Sequence, residues 1–144
     1  MSADPYELSR FVEAQARCYA RVLEELTAGE KTSHWMWFIF PQLRGLGMSS
    51  TARRFGLSGL EEARAYLAHP LLGERLRTCT QLVNRIEDRT AGAVFGYPDD
   101  LKFRSSLTLF ARATAGGSEP FGAALAKYFA GEEDPLTREL LSAD

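Results

Sequence analysis

The sequence predicts an all-α fold, a compact and mainly α-helical bundle of six to eight helices in which residues 1–144 form one domain. Apolar residues recur at three- and four-residue steps through most of the chain, as on one face of a helix. No segment alternates convincingly between apolar and polar residues over five or more positions. Valine and isoleucine, which favour strands, are few. The length suits one domain, and no long linker or internal repeat divides it.

The first helix is predicted from about Pro5 to Ala28. Asp4 directly before Pro5 is typical of a helix start, and Glu7 follows Asp4 at the capping-box spacing. Gly29 marks the stop. The apolar stripe of this helix consists of Leu8, Phe11, Val12, Tyr19, Val22, Leu23 and Leu26.

The apolar run Trp35–Phe40 fits either a buried strand or a buried helix. We favour a short helix that Ser33 caps and that ends at Pro41. Several glycines follow, and they indicate a loop with one short helix at about Ser50–Phe55.

Two helices are predicted in the middle of the chain. Ser58 and Glu61 stand at the capping-box spacing before the first, and Pro70 ends it. Pro70 also suits the first turn of the second helix, which His69 is expected to cap and whose apolar face runs to Ile86.

Three further helices are predicted near the end of the chain, each beginning where a proline stands beside an acidic residue. The starts are Pro98–Asp100, Ser118–Pro120 and Asp134–Pro135. Negative charge in a first turn complements the helix dipole. Gly116–Gly117 is expected to end the first of these helices, and the apolar positions of the last are Leu136, Leu140 and Leu141.

Composition and charge exclude several classes of protein. The formal net charge of −2 gives no strong field toward nucleic acid or anionic lipid, so we expect no nucleic-acid partner. The longest apolar run has six residues, whereas a membrane span needs about 20. The first ten residues lack the pattern of a secretory signal. We therefore expect a cytoplasmic protein with no membrane partner, and the oligomeric state is left open.

The cysteines and histidines point to neither a disulfide scaffold nor a metal site. Cys18 and Cys79 both fall in apolar-periodic segments, which favours reduced, buried thiols. The two histidines come with no Cys-x-x-Cys motif, so no zinc pattern is present. We expect no cofactor.

Several long motifs make the chain recognisable. They are Lys31–Gln42, Gly45–Gly47, Glu62–Pro70, Leu72–Gly73, Phe95–Gly96, Pro98–Lys102 and Arg104–Phe110. With Phe11, Ala14 and Gln15 they cover nearly the whole chain, which resembles a family of uncharacterised, mostly bacterial proteins known as domain of unknown function 1810. The resemblance implies a small, mainly α-helical fold, with no established activity and no agreed catalytic residues. Members are often mislabelled calpastatin, but calpastatin acts through long disordered repeats that this chain lacks.

A second similarity lies in the order of three short motifs. A Phe-x-x-Ala-Gln helix ending at Gln15, the pair His69–Pro70, and Phe95–Gly96 with an acidic turn follow one another. This order is similar to that of helical N-glycosidases that act on NAD- or ADP-ribose-type substrates. Those enzymes use a glutamate beside an Ala-Gln pair. Glu13 corresponds to it here, although the flanking residues depart from the pattern.

The segment Lys31–Gln42 holds the densest group of reactive side chains. Indole faces can stack on a nucleobase or attract a cation. His34 can serve as an acid or a base, because histidine titrates near neutral pH. The alternative is structural: Trp35, Met36, Phe38 and Phe40 are core, and His34 only caps or hydrogen-bonds the start of its helix.

The segment Asp99–Ser106 is the second candidate. Asp100 and Arg104 stand four residues apart and can pair on one helical face. Asp99, Lys102 and Ser106 share a neighbouring face, and a lysine or arginine there can meet a phosphate. The alternative is a capped helix with a solvated, charged side.

We expect the two segments to converge on a cleft that binds, or acts on, a nucleotide or an ADP-ribose-like group. The candidate catalytic residues are His34 for proton transfer and the carboxylates of Glu13, Asp99 and Asp100, one of which would stabilise an oxocarbenium ion or activate water. The candidate ligand-binding residues are Lys31, Trp35, Trp37, Gln42, Lys102, Arg104, Ser105 and Ser106. Whether the protein is an enzyme stays open. The alternative is a non-enzymatic interaction module, or a homo-oligomer, that uses the aromatic segment.

Overall fold

The computed structural model describes residues 4–114, 117 and 119–142. Within these ranges the chain forms ten α-helices and one isolated parallel β-bridge, between Leu43 and Leu57. The helices are Ser9–Ala16 (α1), Tyr19–Ala28 (α2), Met36–Ile39 (α3), Ser50–Phe55 (α4), Leu60–Ala68 (α5), Leu72–Arg85 (α6), Ala91–Phe95 (α7), Asp99–Ala113 (α8), Phe121–Phe129 (α9) and Pro135–Ser142 (α10). The predicted all-α fold is confirmed, with more helices in the described part than the six to eight expected.

The predicted first helix is in fact two helices. The backbone leaves the helical region at Cys18, where φ is −137° and ψ is −2°, and this residue separates α1 from α2. The Asp4 carboxylate accepts hydrogen bonds from the backbone N–H groups of Leu8 and Ser9, so the cap is present although the helix begins later than predicted. Gly29 ends α2 in the left-handed conformation, as expected, with φ at 79°.

The aromatic run forms the one-turn helix α3, which confirms the helical interpretation. The predicted cap is wrong, because Trp35 holds the N-cap position and the hydroxyl of Ser33 donates a hydrogen bond to Glu25 instead. Helix α4 has the predicted bounds. Helix α7 was not predicted, although its start has a local signal: the Thr90 hydroxyl accepts a hydrogen bond from the backbone N–H of Ala93.

The start of α5 differs from the predicted capping box by one residue. The carboxylate of Glu62, rather than that of Glu61, accepts hydrogen bonds from the backbone N–H and hydroxyl of Ser58, each at 2.9 Å. The expected cap of α6 is present, since His69 Nδ1 accepts from the backbone N–H groups of Leu71 and Leu72 at 3.2 Å each.

Helix α8 lies at the centre of the fold and packs against α3, α5, α7, α9 and α10. Three phenylalanine rings meet where it crosses α3 and α7. The ring centroid of Phe103 lies 5.0 Å from that of Phe40 and 4.5 Å from that of Phe95. These contacts hold the short helix α3 against the long one, and they bring the two candidate segments together.

Some predictions for the last third of the chain fall outside the described residues or need correction. Gly116 of the predicted helix stop and Ser118 of the predicted helix start are not among the described residues. In α10, Leu136 is 48% exposed, whereas the neighbouring Thr137 is fully buried, so the predicted apolar face is rotated.

Both cysteines are free thiols. Cys79 is buried, as expected, and burial raises the pKa of its thiol to about 12. Cys18 is only half-buried, which corrects the prediction for that position. Of the helices that the structure describes, none combines the length and apolar character needed to cross a membrane.

Candidate functional site

A cleft of about 440 Å³ lies between α3, α4, the first turns of α8 and the start of α10. This hollow, the Trp37 cleft, is where the two candidate segments meet. Its lining residues are Trp37, Gln42, Leu46, Gly47, Met48, Ser49, Ala52, Pro98, Leu101, Lys102, Ser105, Asp134 and Leu136. Four of the predicted ligand-binding residues are among them: Trp37, Gln42, Lys102 and Ser105.

Beside the cleft, two lysines share one carboxylate. Nζ of Lys31 lies 2.8 Å from Oδ2 of Asp99, and Nζ of Lys102 lies 3.3 Å from Oδ1 of the same side chain. The side chain of Lys31 is only 6% exposed, and its ammonium also donates to the carbonyl of Ser33. Because two ammonium groups face a single carboxylate, the cluster carries one unit of uncompensated positive charge.

The two tryptophans have different environments. Nζ of Lys102 lies 4.3 Å from the ring centroid of Trp37, a distance at which an ammonium is attracted to an aromatic face. Trp37 is half-buried and lines the cleft. Trp35 is 1% exposed, and its indole N–H donates to Glu25 at 2.9 Å. The core interpretation is therefore confirmed for Trp35, whereas Trp37 lines the cleft.

Polar groups on the cleft wall differ in what they can still bind. Within the described residues, the side-chain amide of Gln42 makes no hydrogen bond, so both its donor and its acceptor are available. The hydroxyl of Ser105 donates to the carbonyl of Leu101 at 3.1 Å and keeps its acceptor capacity. The carboxylate of Asp134 caps α10 by accepting from the N–H and hydroxyl of Thr137.

Arg104 and Asp100 do not form the predicted pair. The guanidinium of Arg104 donates to the carbonyls of Glu132 and Glu133 at 2.9 and 3.0 Å, and so ties the turn before α10 to α8. The Asp100 carboxylate accepts from the backbone N–H of Leu101 at 2.9 Å. Ser106 is 1% exposed and does not line the cleft; its hydroxyl has no hydrogen-bond partner in the described part of the chain.

His34 and Glu13 lie outside the Trp37 cleft. His34 is exposed and lines a different cleft with Arg17, Arg21 and Glu24. Glu13 is also exposed and lines a third cleft, beside α1. The expected convergence of the two segments thus includes Lys31, Trp37 and Gln42 but not the candidate proton-transfer group.

Glu25 organises the segment that carries Lys31. Its buried carboxylate accepts four hydrogen bonds, from the backbone N–H groups of Thr32 and Ser33, the Ser33 hydroxyl and the Trp35 indole. Burial raises the pKa of this carboxyl, but the hydrogen bonds outweigh burial and lower the pKa to about 2. Sequence reasoning missed this residue. Its signal is an acidic side chain on the apolar face of α2, next to Leu26.

Sequence reasoning also missed the apolar rim of the cleft. The exposed fractions of Met48, Leu101 and Leu136 are 79%, 46% and 48%. Leu101 has a detectable signal, because it lies off the stripe that Phe103 and Phe110 form on the same helix. The exposure of Met48 and Leu136 can be recognised only from the tertiary structure.

A family model described as a protein of unknown function, DUF1810, matches residues 5–141. The chain belongs to this family. A solved structure is also similar to it, that of the conserved hypothetical protein Rv1873 from Mycobacterium tuberculosis. The two chains are 59% identical, the TM-score is 0.95, and the match covers 96% of this chain and 99% of that one. Among curated proteins, none matches. The similarity to the solved structure supports the fold, and family membership assigns no activity.

Proposed function

We propose that the Trp37 cleft binds a small anionic ligand with a planar ring, a nucleotide or an ADP-ribose-like group. The observation that carries the proposal is the position of Lys102. Its ammonium lies over the Trp37 ring at the wall of the cleft, and the carboxylate that pairs with it, that of Asp99, is shared with Lys31. On the Lys102 side of the cleft an anion therefore meets surplus positive charge beside an aromatic surface, while the carboxylate of Asp134, elsewhere on the lining, accepts hydrogen bonds from Thr137.

The shape and lining of the cleft support the same ligand class. Its volume of about 440 Å³ falls within the range of small-molecule sites, roughly 300–1,000 Å³. Leu46, Met48 and Leu101 offer apolar contact to a ring. The free amide of Gln42 can both donate to and accept from the edge of a heterocycle.

The geometry supports binding better than cleavage of an N-glycosidic bond. Such cleavage needs a carboxylate that can reach the ligand and stabilise an oxocarbenium ion or activate water. Among the described lining residues, the carboxylate present is that of Asp134, and it caps α10. Asp99 is held by two lysines, and Glu13 and His34 lie in other clefts.

Calorimetric titration with adenosine monophosphate, ADP-ribose and adenosine tests this proposal. We expect the two phosphorylated ligands to bind and adenosine to bind at least tenfold more weakly, because it lacks the anion. Lys102→Gln should weaken binding of the phosphorylated ligands about tenfold with little change in melting temperature.

Arg53→Gln is the matched control, because this substitution also removes one positive charge. Arg53 is exposed and lines neither the Trp37 cleft nor the clefts of His34 and Glu13. It should bind like the wild type. The proposal is wrong if neither phosphorylated ligand binds, or if K102Q and R53Q bind equally well.

A second candidate function, self-association, rests on the exposed apolar rim. The large hydrophobic side chains most exposed in the described residues are Met48, Tyr97, Leu101 and Leu136. Three of them line the Trp37 cleft, and Tyr97 precedes Pro98, which also lines it. Exposed apolar patches often mark interfaces. Within the aromatic segment, Trp35 and Phe40 give no surface for this purpose, since each is 1% exposed, whereas Trp37 is half-buried at the cleft wall.

Sedimentation velocity at several protein concentrations tests self-association. We expect a concentration-dependent dimer that the double substitution Met48→Ser with Leu101→Ser abolishes. A wild-type protein that stays monomeric at every concentration rules this function out.

A further inference from the structure

A second cleft, of about 300 Å³, lies between α1, α3 and α4. This hollow, the Phe38 cleft, shares no lining residue with the Trp37 cleft. Its lining residues are Glu13, Ala14, Arg17, Cys18, Phe38, Arg54 and Phe55. They divide into an apolar floor and a charged rim, which is the arrangement expected of a site for a small amphiphilic ligand.

The floor is aromatic and chemically inert. The rings of Phe38 and Phe55 pack with their centroids 5.3 Å apart and their planes at 58°. The Cys18 thiol donates to the carbonyl of Ala14, and burial raises its pKa, so the thiol is neutral near physiological pH. This surface offers van der Waals contact to a ring and no nucleophile.

The rim carries charges of both signs that no counter-ion in the described part of the chain satisfies. Within the described residues, Glu13, Arg17 and Arg54 take part in no ion pair. The guanidinium of Arg54 instead lies 5.2 Å from the ring centroid of Phe55. In contrast, Arg10, which lines another cleft on the far side of Arg54, forms a 2.9 Å ion pair with Glu62 and donates to several carbonyl groups.

Glu13 and Arg17 could have paired along α1, because residues four apart on a helix are neighbours. They remain separate, so a carboxylate and two guanidinium groups surround the aromatic floor without neutralising one another. A ligand that complements this rim has an anionic group for the arginines, a cationic group for the glutamate and an apolar body between them. A phosphate monoester would meet repulsion from Glu13, and a simple cation would meet repulsion from both arginines.

We propose that the Phe38 cleft binds a zwitterionic aromatic ligand of the amino-acid class. The ligand's carboxylate lies between Arg17 and Arg54, its ammonium faces Glu13, and its ring rests on Phe38 and Phe55. The small volume suits a ligand of this size and is at the low end for a nucleotide. This site is independent of the ligand proposed for the Trp37 cleft.

Calorimetric titration of the full chain with three probes tests the proposal. The probes are L-phenylalanine, 3-phenylpropionate, which lacks the ammonium, and phenethylamine, which lacks the carboxylate. We expect phenylalanine to bind at least fivefold more tightly than either analogue. Arg17→Gln and Arg54→Gln should each weaken phenylalanine binding about tenfold.

Glu13→Gln separates the role of the ammonium from that of the ring. It should lower the affinity for phenylalanine to that for 3-phenylpropionate and leave 3-phenylpropionate binding unchanged. Arg53→Gln and Lys102→Gln are the controls and should bind phenylalanine like the wild type. All the rim residues substituted are exposed, so melting temperatures should change little.

Two results would overturn the proposal. One is the absence of phenylalanine binding at concentrations up to about 10 mM. The other is equal affinity for phenylalanine and 3-phenylpropionate in the wild type, which would remove Glu13 from the site. Neither result bears on K102Q in the Trp37 cleft, so the two proposals fail separately.

Discussion

The carboxylate of Glu25 is buried among four hydrogen-bond donors, and its ionisation is therefore linked to the free energy of unfolding. Its pKa is about 2 in the folded protein, against an ordinary value of 4.5. A group with a depressed folded pKa contributes stability that is fully present above its unfolded pKa. That contribution is lost as the pH falls from about 4.5 toward 2.

We expect Glu25→Gln to lower the free energy of unfolding by on the order of 3 kcal/mol at neutral pH, because hydrogen bonds hold the pKa of this carboxyl at about 2, below its ordinary value of 4.5. Urea unfolding should show the difference between wild type and variant narrowing as the pH falls below 4.5. Glu24→Gln, a substitution of the exposed neighbour, is the control and should change stability little. A difference of the same size at every pH would contradict this account.

Trp35 and Trp37 are close in the sequence but lie in different environments, one in the core and one at the cleft wall. The sequence pattern leaves open whether each indole is core or lines a pocket. The hydrogen bond from Trp35 to Glu25 and the contact of Trp37 with Lys102 decide the matter, and both partners come from other parts of the chain.

At the scale of a helix, local spacing predicts starts and stops well. His69 before Pro70 is a helix boundary because proline disfavours a helical conformation in the residue that precedes it. The structure adds the chemistry, with the imidazole Nδ1 accepting from two N–H groups that α6 leaves unpaired.

His69→Ala should lower the free energy of unfolding by about 1 kcal/mol, the usual value of an N-terminal cap. Chemical denaturation at neutral pH measures the change. His69→Asn keeps a side-chain acceptor and should recover most of the loss. If His69→Asn loses as much stability as His69→Ala, the side-chain acceptor of the cap contributes nothing to that stability.

Close packing between α5 and α6 restricts which residue can stand at position 73, although no local sequence pattern indicates this. A Cβ atom on Gly73 of α6 would lie 2.1 Å from the carbonyl oxygen and 2.9 Å from the carbonyl carbon of Leu67 in α5. The obstacle is backbone, so it cannot rotate away as a side chain would. The contact between α5 and α6 therefore requires glycine at this position.

Gly73→Ala should lower the free energy of unfolding by about 3 kcal/mol, the upper range for overpacking. Thermal and urea unfolding both report the change. Gly92→Ala is the matched control, because the nearest atom to its Cβ is 3.7 Å away. Similar stability in the two variants would contradict the close approach of α5 and α6.

The sequence by itself determined the helical class, most helix ends and the two segments that carry polar chemistry, because capping and helical periodicity act over three or four residues. It also placed Asp99 and Lys102 on one face, where they pair. Only the tertiary structure decided that Lys31 reaches Asp99, that Arg104 hydrogen-bonds to the turn before α10 rather than to Asp100, and that His34 faces another cleft. Such contacts join residues that are distant in the chain, and they depend on how whole helices pack.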